Sequence, residues 1–261
     1  MQSSNPVLTR LGEAARASRY ETGYGPGYPG EQTPSRAMTM DDVVVRTVAL
    51  LAITGVVGAA AWVLLPASSG VTFFAAAMAG IAGLVLGLVI SFRRVTSPAV
   101  IIPYAALQGI ALGVISRAFE SWYSGIVIQA VIGTFGIFAI MAVLYKLRVL
   151  RATPRFTKFV IGALIGVVVL SFANWLFYLF GLNLGLREYS VDGKVSWLPI
   201  VFSLVVIGVG ALTFILDFDA IEQGTHYGLP EKYAWYCAFG ILVGLIFLYY
   251  EILRLLSYLR R

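Results

Sequence analysis

Charge is the scarcest ingredient of this chain: Asp, Glu, Lys and Arg together make up 12% of its 261 residues, against 59% hydrophobic. So little polar surface cannot coat a water-soluble globule, which excludes a soluble domain and leaves an integral membrane protein. Cysteine is almost missing as well. The single Cys237 forbids an intramolecular disulfide, and its apolar setting reads as packing. The one histidine, His226, lies in the polar stretch GTHYGLP, where a solvated side chain is the default. HExxH, GxSxG and Walker A sequences are absent, which removes the common metallohydrolase, serine-hydrolase and nucleotide-binding readings. The net charge of +6 does not indicate nucleic acid, because the Lys and Arg residues fall between apolar runs instead of along one face.

What is present divides into two parts. Residues 1–42 are polar and rich in Gly, Pro, Ser and Tyr, with no apolar core of the kind a signal peptide needs, so they read as a disordered arm. The GYGPGYPG stretch within it fits a low-complexity tail better than a recognition motif. Residues 43–261 carry seven apolar runs, at about 47–65, 71–92, 99–115, 125–145, 159–180, 197–216 and 233–258. Each is of the length a helix needs to cross roughly 30 Å of hydrocarbon. The fold expected is therefore all-α: a bundle of seven transmembrane helices in a lipid bilayer. Glycines spaced by three or four, such as Gly55 with Gly58 and Gly109 with Gly113, read as the small-residue packing code of membrane helices. Trp62, Trp122, Trp197 and Trp235, near span ends, read as interface anchors.

Alternate loops differ in positive charge. Arg10, Arg16, Arg19, Arg36, Arg46, Arg93, Arg94, Lys146, Arg148, Arg151, Arg155, Lys158 and Lys232 fall on one side. Arg117, Arg187, Lys194, Arg254, Arg260 and Arg261 fall on the other if the last run crosses fully. Thirteen against six makes the amino terminus cytoplasmic. A re-entrant last span would instead return the basic tail to the cytoplasm.

Three acids interrupt or end the apolar runs. Asp217 and Asp219 close the sixth, and Glu251 lies inside the seventh, in FLYYEILRLL. A carboxylate in hydrocarbon costs several kcal/mol without a partner, water or a proton, so such residues are functional candidates by default. The second run ends at the same cytoplasmic level with Arg93 and Arg94, which makes an Arg–Asp latch geometrically feasible. The plainer alternative is that the arginines are cytoplasmic anchors and the aspartates cap a helix end. Two residues in a helix are about 200° apart, so only one of Asp217 and Asp219 can face inward. Glu251 also has a plainer reading, an i,i+3 ion pair with Arg254.

The ordered set LDFDAIEQ, YAWYC and LYYEILRLL, followed over about 197–256, resembles the Bax inhibitor-1, or transmembrane Bax inhibitor motif, family. The resemblance implies a seven-helix bundle with the last helix at its centre. Its bacterial members imply a plasma-membrane location and a pH-sensitive calcium leak. The family pattern falls on Asp217 through its spacing to Ile221, on Glu251 as the second carboxylate, and on Arg93, or by a shifted gap Arg94, as the latch. Glutamate at the second acidic position, and a longer stretch between the acids, depart from the family pattern.

Taken together, these residues imply electrostatic gating without covalent chemistry. Two nearby carboxylates share one proton readily, because like charges resist joint ionisation. Ionised, Asp217, Glu251 and Asp219 would offer hard oxygens to Ca²⁺, although three acids are too few for a tight site and transient binding during passage is expected. Calcium ions and protons are thus the expected partners, and no cofactor is expected. Rival readings are a proton-coupled transporter, for which no matched pair of broken helices marks a midplane site, a non-conducting regulatory membrane protein, and an intramembrane aspartyl protease. The last lacks a second aspartate and a GxGD sequence.

Overall fold

The computed structural model describes residues 36–65, 70–180, 185–186 and 197–260. Most of the arm read at residues 1–42 lies outside them, as does most of the polar connection carrying Arg187 and Lys194. Among the described residues stand seven helices: α1 (Met40–Leu64), α2 (Gly70–Arg93), α3 (Pro98–Trp122), α4 (Ile126–Lys146), α5 (Pro154–Leu179), α6 (Trp197–His226) and α7 (Tyr233–Leu259). All seven are long and apolar enough to span a membrane.

Several helices outrun the apolar runs that announce them, and in each case local chemistry sets the end. α1 starts at Met40, so the arm stops short of residue 42. The cause is a capping box: the Thr39 hydroxyl accepts from the Asp42 N–H at 3.2 Å, and the Asp42 carboxylate accepts from the Thr39 N–H at 2.9 Å. Arg36 donates to the same carboxylate at 2.6 Å. α3 opens with Pro98 at its first turn and continues to Trp122, past the apolar run. Beyond it, Gly125 turns at φ 79°, and the Glu120 carboxylate accepts from the Gly125 and Val127 N–H groups, capping α4 from the preceding helix. α6 runs on to His226, after which Gly228, at φ 66°, reverses the chain.

The last helix is the hub. α7 packs against α6, α1, α4 and α3, whereas α2 leans on α3 and α5 on α6. Leu242, Leu248 and Leu253 on α7 are fully buried. Two cores form on neighbouring faces of it. On one, Ile241, Leu245 and Leu248 join Phe214 of α6 and Ala130 and Met141 of α4. On the other, Ala238, Phe239 and Leu242 join Leu50, Ile90, Ile101 and Tyr104. α1 and α3 approach closely enough that the Thr54 hydroxyl donates to the Ala105 carbonyl at 3.2 Å, with Gly58, Gly109 and Gly113 at the crossing. Small residues there substitute for the hydrophobic drive that lipid does not supply between helices.

α7 is one unbroken helix, and Arg260 at its end donates to the Ser124 carbonyl at 2.6 Å. Ser124 lies in the α3–α4 connection, so the last span crosses to the end opposite the α6–α7 turn and is not re-entrant. At the start of the bundle, residues 36–39 are strapped to that turn: Met38 N–H donates to the Leu229 carbonyl at 2.7 Å and Glu231 N–H to the Arg36 carbonyl at 2.9 Å.

Candidate functional site

Asp217 sits inside α6, nine residues before His226, so about 13 Å of helix continues beyond it at 1.5 Å per residue. It therefore caps nothing. The side chain is half-buried, and among the described residues no hydrogen bond or ion pair reaches it. Its electrostatic neighbour on α7 is Cys237. The register of the antiparallel pair explains this. Gly210 of α6 faces Phe247 and Leu248, and Gly244 of α7 faces Phe214, which puts the level of Asp217 near Ile241. The position opposite the carboxylate is apolar.

Glu251 lies elsewhere. By the same register it is level with Ile207, ten residues before Asp217 and thus about 15 Å away along the axis. It is buried, and Arg254 donates to it at 2.6 Å across one turn. The carboxylate pair expected from the family pattern is not assembled, and the paired i,i+3 reading of Glu251 is the one observed. The register thus keeps the expected Asp217–Glu251 calcium ligands about 15 Å apart along the axis, and among the described residues no group of three or more His, Cys, Asp or Glu side chains is arranged to hold a metal ion. Asp219 is on another face of α6, where Gln223 donates to it at 2.5 Å.

The latch is likewise not formed. Arg93 and Arg94 are both exposed, and no ion pair joins either to Asp217 or Asp219 among the described residues. α7 stands between them. The α2 end packs near Ala238, Phe239 and Leu242, and Tyr236 Oη approaches the Ser91 carbonyl at 3.5 Å, while α6 occupies the face of Cys237, Gly244 and Leu248. Shared depth in the membrane brought these charges together on paper; the central helix separates them in space.

Other charges do pair. Arg46 of α1 donates to the Glu231 carboxylate at 2.5 Å and to its carbonyl at 3.1 Å, and its guanidinium lies 5.5 Å from the Trp235 ring centroid. This cluster reinforces the strap of residues 36–39 on the α6–α7 turn. Tyr145 of α4 donates to Glu222 of α6 nearby. At the opposite end, Arg117 of α3 donates to the Trp62 and Leu65 carbonyls, satisfying the end of α1. In the sequence Arg46 stands out as a lone cation entering an apolar run, and Glu231 as the acid opening the last one, but nothing in either signals a partner 185 residues away.

The architecture defines the class: a polytopic all-α membrane protein, built as a seven-helix bundle around the last of its seven described helices. The chain belongs to a family of such proteins, since the family model described as Bax inhibitor 1 like matches residues 5–261. None of the curated proteins matches it.

Proposed function

We propose that this protein is a pH-sensitive cation leak of the membrane, with calcium as the permeant ion and Asp217 as the proton-responsive group. The observation that carries the reading is the Asp217 carboxylate, held within a membrane-spanning helix beside the central helix, with no ion pair or hydrogen bond to it among the described residues. A charge so placed is costly unless water, a cation or a proton attends it, and exchange between these is what a pH-dependent leak requires. The resemblance to bacterial Bax inhibitor-1 proteins supports the same reading. It also supports a bacterial plasma-membrane location, and the Lys and Arg distribution supports a cytoplasmic amino terminus. A single carboxylate offers too few oxygens for stable Ca²⁺ coordination, so the ion is met in passing. Glu251, already held by Arg254, has no part in the response.

Calcium entry into dye-loaded proteoliposomes, followed from mildly acid to neutral pH, tests this. Wild-type flux varies with pH, Asp217→Asn flattens the profile, and Glu251→Gln leaves its shape intact. A profile unchanged by Asp217→Asn removes Asp217 from the role. No calcium flux at any pH would favour a non-conducting regulatory protein.

A further inference from the structure

A cavity of about 390 Å³ lies between α1 and α4, with α3 and α7 behind it. Gly55 and Trp62 of α1, Thr134 of α4, and Ser116, Leu245 and Tyr249 line it. Its mouth is lateral. Val63 and Phe135, one on each flanking helix, are both lining residues and large exposed hydrophobics, and Val56 and Ile132 beside them are 69% and 67% exposed. In a membrane these outward faces contact acyl chains, so the mouth opens into hydrocarbon and not into water.

The interior carries one polar pair. Ser116 and Tyr249 hydroxyls lie 2.6 Å apart, and that bond uses one of their two hydrogens. The second hydrogen is left for an acceptor, and the nearby Glu120 carboxylate, whose charge reaches Tyr249, is engaged by the Gly125 and Val127 N–H groups. An unmet O–H in an apolar recess is unfavourable, and a carbonyl oxygen meets it. Thr134 and Thr54 donate to backbone carbonyls of their own helices, at 2.7 and 2.9 Å, and among the described residues no hydrogen bond joins either hydroxyl to Ser116 or Tyr249. An apolar recess of this volume with a single convergent polar pair has the form of a ligand site.

We infer that the crevice between α1 and α4 holds one acyl chain of a bilayer phospholipid, with the ester carbonyl of that chain accepting from the Ser116–Tyr249 hydroxyl pair. The chain enters sideways from the surrounding leaflet. Gly55 lines the crevice, and a Cβ on it would meet nothing within 4 Å, so a large side chain is accommodated there and takes up space at the recess. This inference is independent of ion conduction.

The test uses the full chain in nanodiscs containing a phospholipid with a diazirine in one acyl chain, with the labelled peptides identified by mass spectrometry. Labelling concentrated on the crevice residues of α1, α4 and α7 is expected, with Gly55→Phe reducing it severalfold. Gly166→Phe is the control, because Gly166 on α5 also has open space around it and lies outside the cavity. Tyr249→Phe is expected to reduce the lipid that stays bound through detergent extraction, with no change in the residues labelled. If Gly55→Phe does not fold, as judged by its thermal transition, Ala59→Leu on the same wall replaces it. Labelling spread evenly over Val56, Ile132 and the other outward residues, or unchanged by filling the crevice, overturns the proposal.

Discussion

Replacing Gly109 by alanine adds one methyl group at the tightest part of the α1–α3 crossing. A Cβ on Gly109 would lie 2.7 Å from the Thr54 carbonyl oxygen and 3.0 Å from the Val57 Cβ, where ordinary contact begins at 3.4 Å. The helices must therefore part by about 0.7 Å, and because the obstacle is backbone, no rotamer change relieves it. Overpacking of this kind costs about 1–3 kcal/mol. Parting the helices also stretches the Thr54–Ala105 hydrogen bond, worth about 0.6 kcal/mol in a membrane protein. Against this, alanine is favoured over glycine in a helix by about 1 kcal/mol. The net expectation is a loss of about 1–2 kcal/mol for Gly109→Ala. Gly113→Ala should cost more, since its Cβ would collide with the Gly58 carbonyl outright, and Gly58→Ala less, at 3.2 Å from the Gly109 oxygen. Gly55→Ala meets nothing and should be neutral or mildly stabilising. Reversible unfolding in mixed micelles, followed by circular dichroism, gives the four values. Equal effects at Gly109 and Gly55 would refute the close-packed crossing.

Removing Arg254 (Arg254→Met) leaves the buried Glu251 charge without its ion-pair partner and should cost about 3 kcal/mol in the same assay, whereas Asp217→Asn, which removes a charge that has no such partner, should be neutral or stabilising; a destabilised Asp217→Asn would reveal a partner for it. Arg46→Gln and Glu231→Gln should be non-additive, but by no more than about 1 kcal/mol, because Glu231 is 40% exposed and the pair is screened. In intact cells, Arg151→Cys should be shielded from an impermeant thiol reagent added outside and Ser124→Cys should react, as the two connections lie at opposite ends of the bundle. Reversed labelling would invert the orientation.

The seven spans were legible because each apolar run is a direct measure of hydrocarbon crossed. Their ends were less so. Helix ends answer to capping, and MDDVVVR at the start of α1 or DAIEQGTH at the end of α6 continues a helix beyond its apolar run with polar residues that a run of hydropathy does not register. The centrality of α7 came from family resemblance and not from its composition, which is no more apolar than that of its neighbours. The site was legible only as a set of candidates. Asp217 and the Glu251–Arg254 pair could be read because a lone charge and an i,i+3 spacing are properties of one helix. The Arg93–Asp217 latch misled because depth is encoded along each helix, while the side of α7 on which a helix packs is encoded by no single segment. For the same reason Arg46–Glu231 stayed invisible.

The order of synthesis gives the hub position of α7 a further meaning. Of the seven helices the ribosome delivers the innermost after the other six, roughly 10–40 s after α1 at 5–20 residues per second. Until then the six earlier helices must wait in the bilayer with Leu50, Ile90, Ile101 and Phe214 turned toward lipid instead of toward Leu242 and Leu248. Lipid tolerates those side chains, which is why a membrane bundle can be built from the outside inward when a soluble one would aggregate. A chain cut short before Tyr233 would insert but have nothing to close around, and the arrival of α7 also brings the turn to which residues 36–39 are strapped. Arrival of the last of the seven helices and closure of the bundle are thus the same event.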